Sequence, residues 1–325
     1  MTAAAGAEAR AREALARLDR AASRVPCLDL VLYRSARGEA IRRREALHEH
    51  APGVPAVDPA EQPPIAAVRR GEAWLAGGPP GGWRGLVCDL HWELMQGRDP
   101  APGALRTGES WLLGRDPAHA RHRSPEASAV PRLLAELERT LRAEQDPLLA
   151  AADAHARLLL IHPFRNGNGR VAQALVAVLL RERGLLSRPC LLLEATLHAR
   201  RRAYFAALDR LWSGDGRPWV LFFLSAIERA ATDAAAACEA IRARFEADAR
   251  RLPTSDALRL LWRLAEGALP LRDVATARRH GLRALRQARI VTVARGLFAE
   301  PLVFHVTLAR IAAGNAGGGR VSSTR

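Results

Sequence analysis

Apolar residues recur at intervals of three and four along most of the chain, which is the spacing of a helix with one buried face. In the run 168–184, for example, Val171, Leu175 and Val178 fall on one side. The same spacing predicts further helices near residues 7–24, 30–50, 65–75, 84–97, 129–144, 146–161, 196–212 and 217–250, and proline and glycine predict loops at 51–64 and 76–82. We therefore expect a mostly helical core.

A change of pattern at Arg251–Thr254 marks a second unit of about residues 254–312. Three short helical stretches are followed there by two β-rich pieces, Ile290–Val293 and Leu302–Thr307. This order resembles a winged helix-turn-helix. In a DNA-binding version, His280–Arg289 would be the recognition helix. Alternatively, the unit would mediate domain or dimer contacts, which leaves a homodimer open.

Composition and charge exclude some classes of protein. The chain has 325 residues, of which 49% are hydrophobic, enough for a sizeable core. All 49 basic residues are arginine, which is typical of a high-GC bacterial genome, and the formal net charge of +15 attracts acidic surfaces without identifying a partner. No apolar stretch reaches membrane-spanning length and the first residues lack a signal core, so we expect a cytoplasmic protein without a membrane partner.

The strongest chemical signal is the stretch His162–Arg170, HPFRNGNGR. Gly167 and Gly169 allow a tight turn that presents backbone N–H groups, and the turn opens a predicted helix whose positive dipole end faces the same place. Such a turn binds an anion, and a phosphate fits it. His162 directly precedes it, and an imidazole suits a general base for a hydroxyl that attacks the phosphate.

The stretch resembles the signature of the Fic (Fido) family, His-x-Phe-x-(Asp/Glu)-Gly-Asn-Gly-Arg-x-x-Arg. The matching positions are His162, Pro163, Phe164, Gly167, Asn168, Gly169 and Arg170. Members of that family mostly transfer AMP from ATP to a hydroxyl side chain of a target protein. The resemblance therefore implies a mostly α fold with a small β-hairpin flap, ATP or another nucleotide as substrate, Mg²⁺, and a target protein with a Ser, Thr or Tyr hydroxyl.

The resemblance also implies roles for individual residues. His162 would be the base that activates the target hydroxyl. Asn168 and the amides of Gly167 and Gly169 would form the anion hole, and Arg170 would hold the β-phosphate.

Two positions depart from the family pattern. Asn166 stands where the family carries the acid that holds Mg²⁺, and an amide oxygen brings no negative charge, so the metal should be held weakly. Gln173 stands in place of the second arginine, which removes the cationic clamp on the outer phosphate. Slow AMP transfer, transfer from another nucleotide, removal of AMP and no catalysis all remain open.

Two further segments have both a functional and an ordinary interpretation. Ser35 and Glu39 resemble the inhibitory-helix motif of the family, although Glu39 could equally lie on a surface helix beside nearby arginines. Residues Thr107–Gly114 resemble the target-docking flap, and any surface hairpin would fit them as well. The flap residues implied by the resemblance are Thr107, Gly108, Glu109, Ser110 and Trp111.

The sequence thus predicts an N-terminal arm with an inhibitory helix, a catalytic core, a winged-helix unit and a disordered tail. Their bounds are 1–55, 56–250, 254–312 and 313–325. The leading hypothesis is a protein adenylyltransferase of weakened activity. The alternative is a catalytically weakened scaffold that senses a nucleotide and regulates DNA, through 254–312, or another partner.

Overall fold

The computed structural model describes two compact units of the chain. One unit comprises residues 1–20 with 63–234, and the other comprises 21–62 with 235–325. The described residues are 3–25, 70–71, 73–77, 82–112, 117–188, 190–191 and 193–252, with 260, 269–270, 283, 285, 291–295 and 301–305. The predictions for Ser35 and Glu39, and for most of the helical stretches between 255 and 289, lie outside the described residues.

The first unit is built from helices, with one short hairpin. The helices are α1 (Ala3–Ala22), α2 (Gly82–Met95), α3 (Val130–Ala143), α4 (Pro147–Ile161), α5 (Asn168–Glu182), α6 (Leu193–Ala199), α7 (Arg201–Trp212) and α8 (Arg217–Arg250), the last running on past residue 234. The hairpin strands are β1 (Trp111–Leu112) and β2 (His122–Arg123). The predicted fold class, a mostly helical core with a small hairpin, is confirmed.

Helix α4 lies at the centre of this unit. Alanine and leucine make it apolar on nearly every side, as expected of a helix surrounded by others, and it packs against both α3 and α5. Its start is fixed locally, because the carboxylate of Asp146 accepts hydrogen bonds from the backbone N–H groups of Leu148 and Leu149 at 2.8 and 2.9 Å. Pro147 follows as the first helical residue, where a missing N–H costs nothing.

One of the predicted helices is divided into two helices in the structure. The sequence pattern favoured a single helix over 196–212, whereas α6 ends at Ala199 and α7 begins at Arg201. The side chain of Arg200 at the break donates to the Ser225 hydroxyl at 2.9 Å and lies over the ring of Phe222. These tertiary contacts hold the break, and apolar spacing carries no information about them.

An aromatic cluster joins α4, α7 and the first turns of α8. Nε2 of the fully buried His155 lies 2.9 Å from the Tyr204 hydroxyl, and its ring stacks near Trp219. Trp219 in turn donates to the Ala152 carbonyl at 3.0 Å. Burial lowers the pKa of His155 to about 4, so the ring is neutral and acts as a packing residue.

The second unit contains an antiparallel sheet of three strands. They are β3 (Leu269–Pro270), β4 (Val291–Arg295) and β5 (Pro301–His305), with β5 in the middle. Strands β4 and β5 coincide closely with the two β-rich pieces of the sequence, with Val293 opposite Val303. The winged helix itself stays a prediction. None of the helices in the described ranges combines the length and apolarity needed to cross a membrane.

Candidate active site

The site begins where α4 ends at His162. This residue has φ 50° and ψ 58°, and within the described ranges no other residue except glycine has a positive φ. Its N–H still donates to the Leu158 carbonyl at 2.9 Å, so the chain leaves the helix sharply at this point, and Pro163 prevents its continuation. A left-handed conformation costs a residue with a Cβ on the order of 1–3 kcal/mol, so surrounding contacts must hold it.

The imidazole of His162 is prepared to accept a proton. Its Nδ1 lies 3.3 Å from the Leu159 carbonyl, and because a carbonyl only accepts, Nδ1 carries the hydrogen of the neutral ring. Nε2 then holds the free electron pair. Burial, with smaller effects of the charges of Arg106 and His122, lowers the pKa of His162 to about 4 against the opposing effect of the Leu159 carbonyl. The ring is therefore a neutral base throughout the physiological range.

The loop after His162 is closed by Asn168. The Asn168 side chain is buried, its Oδ1 accepts from the Phe164 N–H at 2.9 Å, and its Nδ2 donates to the Phe164 carbonyl at 2.8 Å. Both polar atoms of this amide are thus used inside the loop. The side chain of Asn168 thus fixes the shape of the turn, and its part in the anion hole stays a prediction.

Helix α2 packs against the loop that follows His162. The ring of His91 stacks on Phe164 with centroids 3.8 Å apart and planes 5° apart, and its Nδ1 accepts from the Gly103 N–H at 2.8 Å. Burial lowers the pKa of His91, against a smaller opposing effect of the Asn166 main chain, so this ring is neutral as well. A Cβ on Gly167 would lie 2.7 Å from Sδ of Met95. Glycine is required at 167 by this contact and by its φ of 72°.

The other glycine of the turn has a different role. Gly169 lies in the first turn of α5 with ordinary helical geometry, and a Cβ there would meet nothing within 4 Å. Gly167, as the residue before the helix, has no side chain to cap it, and the first N–H groups of a helix have no acceptor within the helix. The space beside Gly169 is therefore open, next to the first N–H groups of α5, which have no acceptor within the helix, and this arrangement suits an anion.

The set of charged and amide side chains around this space differs from that of the family pattern. Nη1 of Arg170 lies 2.7 Å from Sδ of Met95, and burial lowers the pKa of this guanidinium while Glu194 of α6 raises it. Gln173 lies half-buried one turn further along α5, and Asn166 is exposed. The described ranges contain no group of three or more His, Cys, Asp or Glu side chains that could hold a metal ion.

The donor set at this loop therefore does not fit a metal site built by the protein. Asn166 offers one neutral oxygen, whereas Mg²⁺ is bound through carboxylates and phosphate oxygens. The weak binding of Mg²⁺ expected from the sequence stays a prediction.

The hairpin lies beside the base but extends beyond the predicted segment. Strand β1 falls within 107–114, and its partner β2 comes at His122–Arg123, after that segment. The pairing continues outward, because the Ser124 N–H donates to the Ser110 carbonyl at 3.0 Å. Nε2 of His122 lies 3.3 Å from the Leu160 carbonyl, so β2 touches the last turn of α4. The docking role of Thr107–Trp111 stays a prediction.

Two residues that contact the site, Arg106 and His91, were not singled out from the sequence. Arg106 is buried beneath the hairpin and donates to the His162 carbonyl at 2.7 Å. The ring of His91 stacks on Phe164 and supports the loop. Their common signal is their position just before the hairpin, in the segments DLHWEL and PGALR.

Comparisons with known proteins show which proteins this chain is similar to. Residues 84–180, from α2 almost to the end of α5, match the model of the Fic/DOC family. The protein adenylyltransferase fic-1 of Caenorhabditis elegans is 38% identical over 77 residues, which are 24% of this chain and 14% of that protein. The protein adenylyltransferase Fic of Culex quinquefasciatus is 36% identical over 101 residues, 30% of this chain and 19% of that protein.

The chain thus spans less than a fifth of the length of these curated relatives. A solved structure extends the likeness in fold. The crystal structure of a Fic family protein from Desulfovibrio desulfuricans G20 has a TM-score of 0.53 at 20% sequence identity, covering 94% of this chain and 96% of that one. At this identity the likeness concerns the fold alone.

Proposed function

Since the chain belongs to the Fic/DOC family, we propose that it is a protein adenylyltransferase that transfers AMP from ATP to a Ser, Thr or Tyr hydroxyl of a target protein. The single observation that carries this proposal is the geometry of His162. A neutral imidazole with its free electron pair on Nε2 follows a helix end and directly precedes a turn of backbone amides.

In the proposed reaction the acceptor hydroxyl gives its proton to Nε2 of His162 as its oxygen attacks the α-phosphorus. The bond from that phosphorus to the bridging oxygen of the β-phosphate breaks, and pyrophosphate leaves. The depressed pKa of His162 keeps Nε2 free above about pH 4, at the cost of weaker basicity. Positioning the ring against the hydroxyl is therefore more important than its proton affinity.

The nucleotide phosphates would bind at the amides of Gly167, Asn168 and Gly169. These N–H groups lie at the start of α5, at the positive end of its dipole and beside the open position at Gly169, and preorganised donors of this kind stabilise the charge that develops on phosphate oxygens. Arg170 supplies a cation for the β-phosphate once its guanidinium turns from Met95. No step is assigned to Mg²⁺, because the loop offers Asn166 in place of a carboxylate.

The same substitutions support the second candidate function, a weakened scaffold that binds a nucleotide and regulates a partner. Asn166 and Gln173 both act on the phosphate side and leave His162 and the anion turn unchanged. Loss of one well-placed donor or cation typically costs about 100-fold in rate, so two such losses lead to slow turnover. The candidates therefore differ in rate and share the nucleotide site.

Incubation with each labelled nucleoside triphosphate, in Mg²⁺ or Mn²⁺, tests the proposal through self-modification measured by intact mass. The expected product is the wild-type protein plus one AMP, absent from His162→Ala. The matched control is His198→Ala, an exposed histidine of α6, which should label like the wild type. Labelling that persists in His162→Ala would remove the base assignment.

A second arm separates the two candidates. The double variant Asn166→Asp with Gln173→Arg restores the family pattern on the phosphate side. A moderate increase over a measurable wild-type rate supports the enzyme. Transfer seen only in the double variant, with nucleotide binding in both proteins, supports the scaffold.

A further inference from the structure

The side chain of Arg106 donates hydrogen bonds to four main-chain carbonyls around the site. It lies between α2 and the hairpin, with 8% of its surface exposed. Its Nε donates to the His162 carbonyl at 2.7 Å, and its Nη1 donates to the Gly108 carbonyl at 2.8 Å. Its Nη2 donates to the carbonyls of Pro125 and, at 3.3 Å, of Ile161.

The four acceptors belong to two parts of the site. Ile161 and His162 are the last turn of α4 and the base itself, whereas Gly108 and Pro125 flank the hairpin on its two sides. The backbone of Arg106 adds a fifth contact, because its N–H donates to the Pro163 carbonyl at 2.9 Å. One guanidinium thus bonds directly to the residue that carries the base and to both ends of the hairpin.

The charge of Arg106 has no carboxylate partner within the described ranges. A buried guanidinium is costly unless its N–H groups are satisfied, and here main-chain carbonyls satisfy them. Burial lowers the pKa of Arg106, yet a guanidinium stays protonated in proteins, so a fixed positive charge sits beside His162.

We propose that Arg106 is a positioning residue that holds the His162 base and the hairpin in one rigid frame, so that an acceptor docked on the hairpin meets Nε2 in register. This rests on the proposed function. The carbonyl contact maintains the left-handed backbone of His162, which would otherwise relax and turn the ring away from the acceptor. A displacement of about 1 Å of a reacting group costs on the order of 100-fold in rate.

The charge has a separate effect on titration. Besides burial, the charged groups that lower the pKa of His162 are Arg106 and His122 of β2, with the Leu159 carbonyl opposing them. Removing the Arg106 charge leaves His122 in place and weakens one of these effects. The titration of His162 should then move to higher pH.

Two variants separate position from charge. Arg106→Lys keeps the positive charge but cannot bond to all four carbonyls. Arg106→Gln loses the charge as well as these bonds. We expect kcat for self-modification to fall about 100-fold in Arg106→Gln, with the KM for ATP unchanged because Arg106 does not reach the anion turn. The acid limb of the pH profile should shift upward in the Gln variant and stay in place in the Lys variant, which also loses kcat.

Arg183 offers a matched control. Its guanidinium also bonds to main-chain carbonyls, those of Glu144 at 3.1 Å and Leu141 at 2.6 Å, at the far end of α3. Arg183→Gln should lower the melting temperature and leave kcat and the pH profile unchanged. If the loss of kcat in Arg106→Gln is explained by its loss of folded protein, and Arg183→Gln behaves in the same way, the proposal is overturned.

A measurement without catalysis makes the two proposals separable. The His162 ring proton, assigned by its absence in His162→Gln, is titrated by NMR in the wild type and both Arg106 variants. A midpoint that rises in the Gln variant and not in the Lys variant supports the proposal even if the wild type transfers no nucleotide, in which case the proposed function alone fails. Identical midpoints in all three folded proteins refute it.

Discussion

Replacing Gly167 by alanine tests whether the turn before α5 has the strained and crowded geometry that an anion site requires. The new Cβ would have to adopt a φ of 72°, which costs about 1–2 kcal/mol. It would also lie 2.7 Å from Sδ and 3.0 Å from Cγ of Met95, and overpacking of this kind costs about 1–3 kcal/mol. The expected loss in the free energy of unfolding is about 2–5 kcal/mol, measured by urea denaturation.

Gly169→Ala is the matched opposite. Its backbone is helical and the added methyl group meets no atom within 4 Å, so stability should stay the same or rise by up to about 1 kcal/mol. The methyl group would occupy the space next to the amides, so ATP affinity, measured by calorimetry, should fall at least about 10-fold, or 1.4 kcal/mol. A stable Gly167→Ala protein, or a Gly169→Ala protein that binds ATP like the wild type, would refute this geometry.

Three other properties follow from the structure. The buried His155 binds a proton below pH 6.5 only when unfolded, so the free energy of unfolding should fall by up to about 3 kcal/mol between pH 6.5 and 4, and His155→Gln should flatten this dependence in urea titrations. Asp146→Ala removes the cap of α4 and the partner of Arg12, and calorimetric melting should show a loss of about 1–2 kcal/mol. Asn166→Asp should bind Mn²⁺ more tightly in the presence of ATP, as measured by electron paramagnetic resonance, and equal affinity would contradict the assigned defect.

The sequence predicted the helices and the turn because both depend on local residue types. Apolar spacing identified α4 and α5, and Gly167 marked the turn between them, since a positive φ favours glycine. The left-handed backbone of His162 could not be predicted in this way, because a histidine adopts it only under contacts from elsewhere in the chain.

Hydrogen bonds to the main chain explain most of what the sequence did not reveal. All acceptors of the Arg106 guanidinium are backbone carbonyls, which every residue possesses, so no pattern of side chains indicates them. The same holds for Asn168, whose side-chain amide closes the loop onto the backbone of Phe164, while its part in the anion hole stays a prediction. In both cases the contacts depend on tertiary geometry.

The two halves of the site differ in how far they keep the family pattern. The half that would activate the acceptor is held by two contacts: His91 stacks on Phe164 in the loop, and Arg106 donates to the carbonyl of His162. The half that would hold the outer phosphates and a metal carries both departures, Asn166 and Gln173. Contacts that position His162 are needed only if a hydroxyl is deprotonated there. The half of the site that keeps the family pattern therefore favours slow catalysis over a scaffold that only binds. Restoring Asn166→Asp and Gln173→Arg should accordingly change the KM for ATP and the metal dependence, and leave the acid limb set by His162 where it is in the wild type.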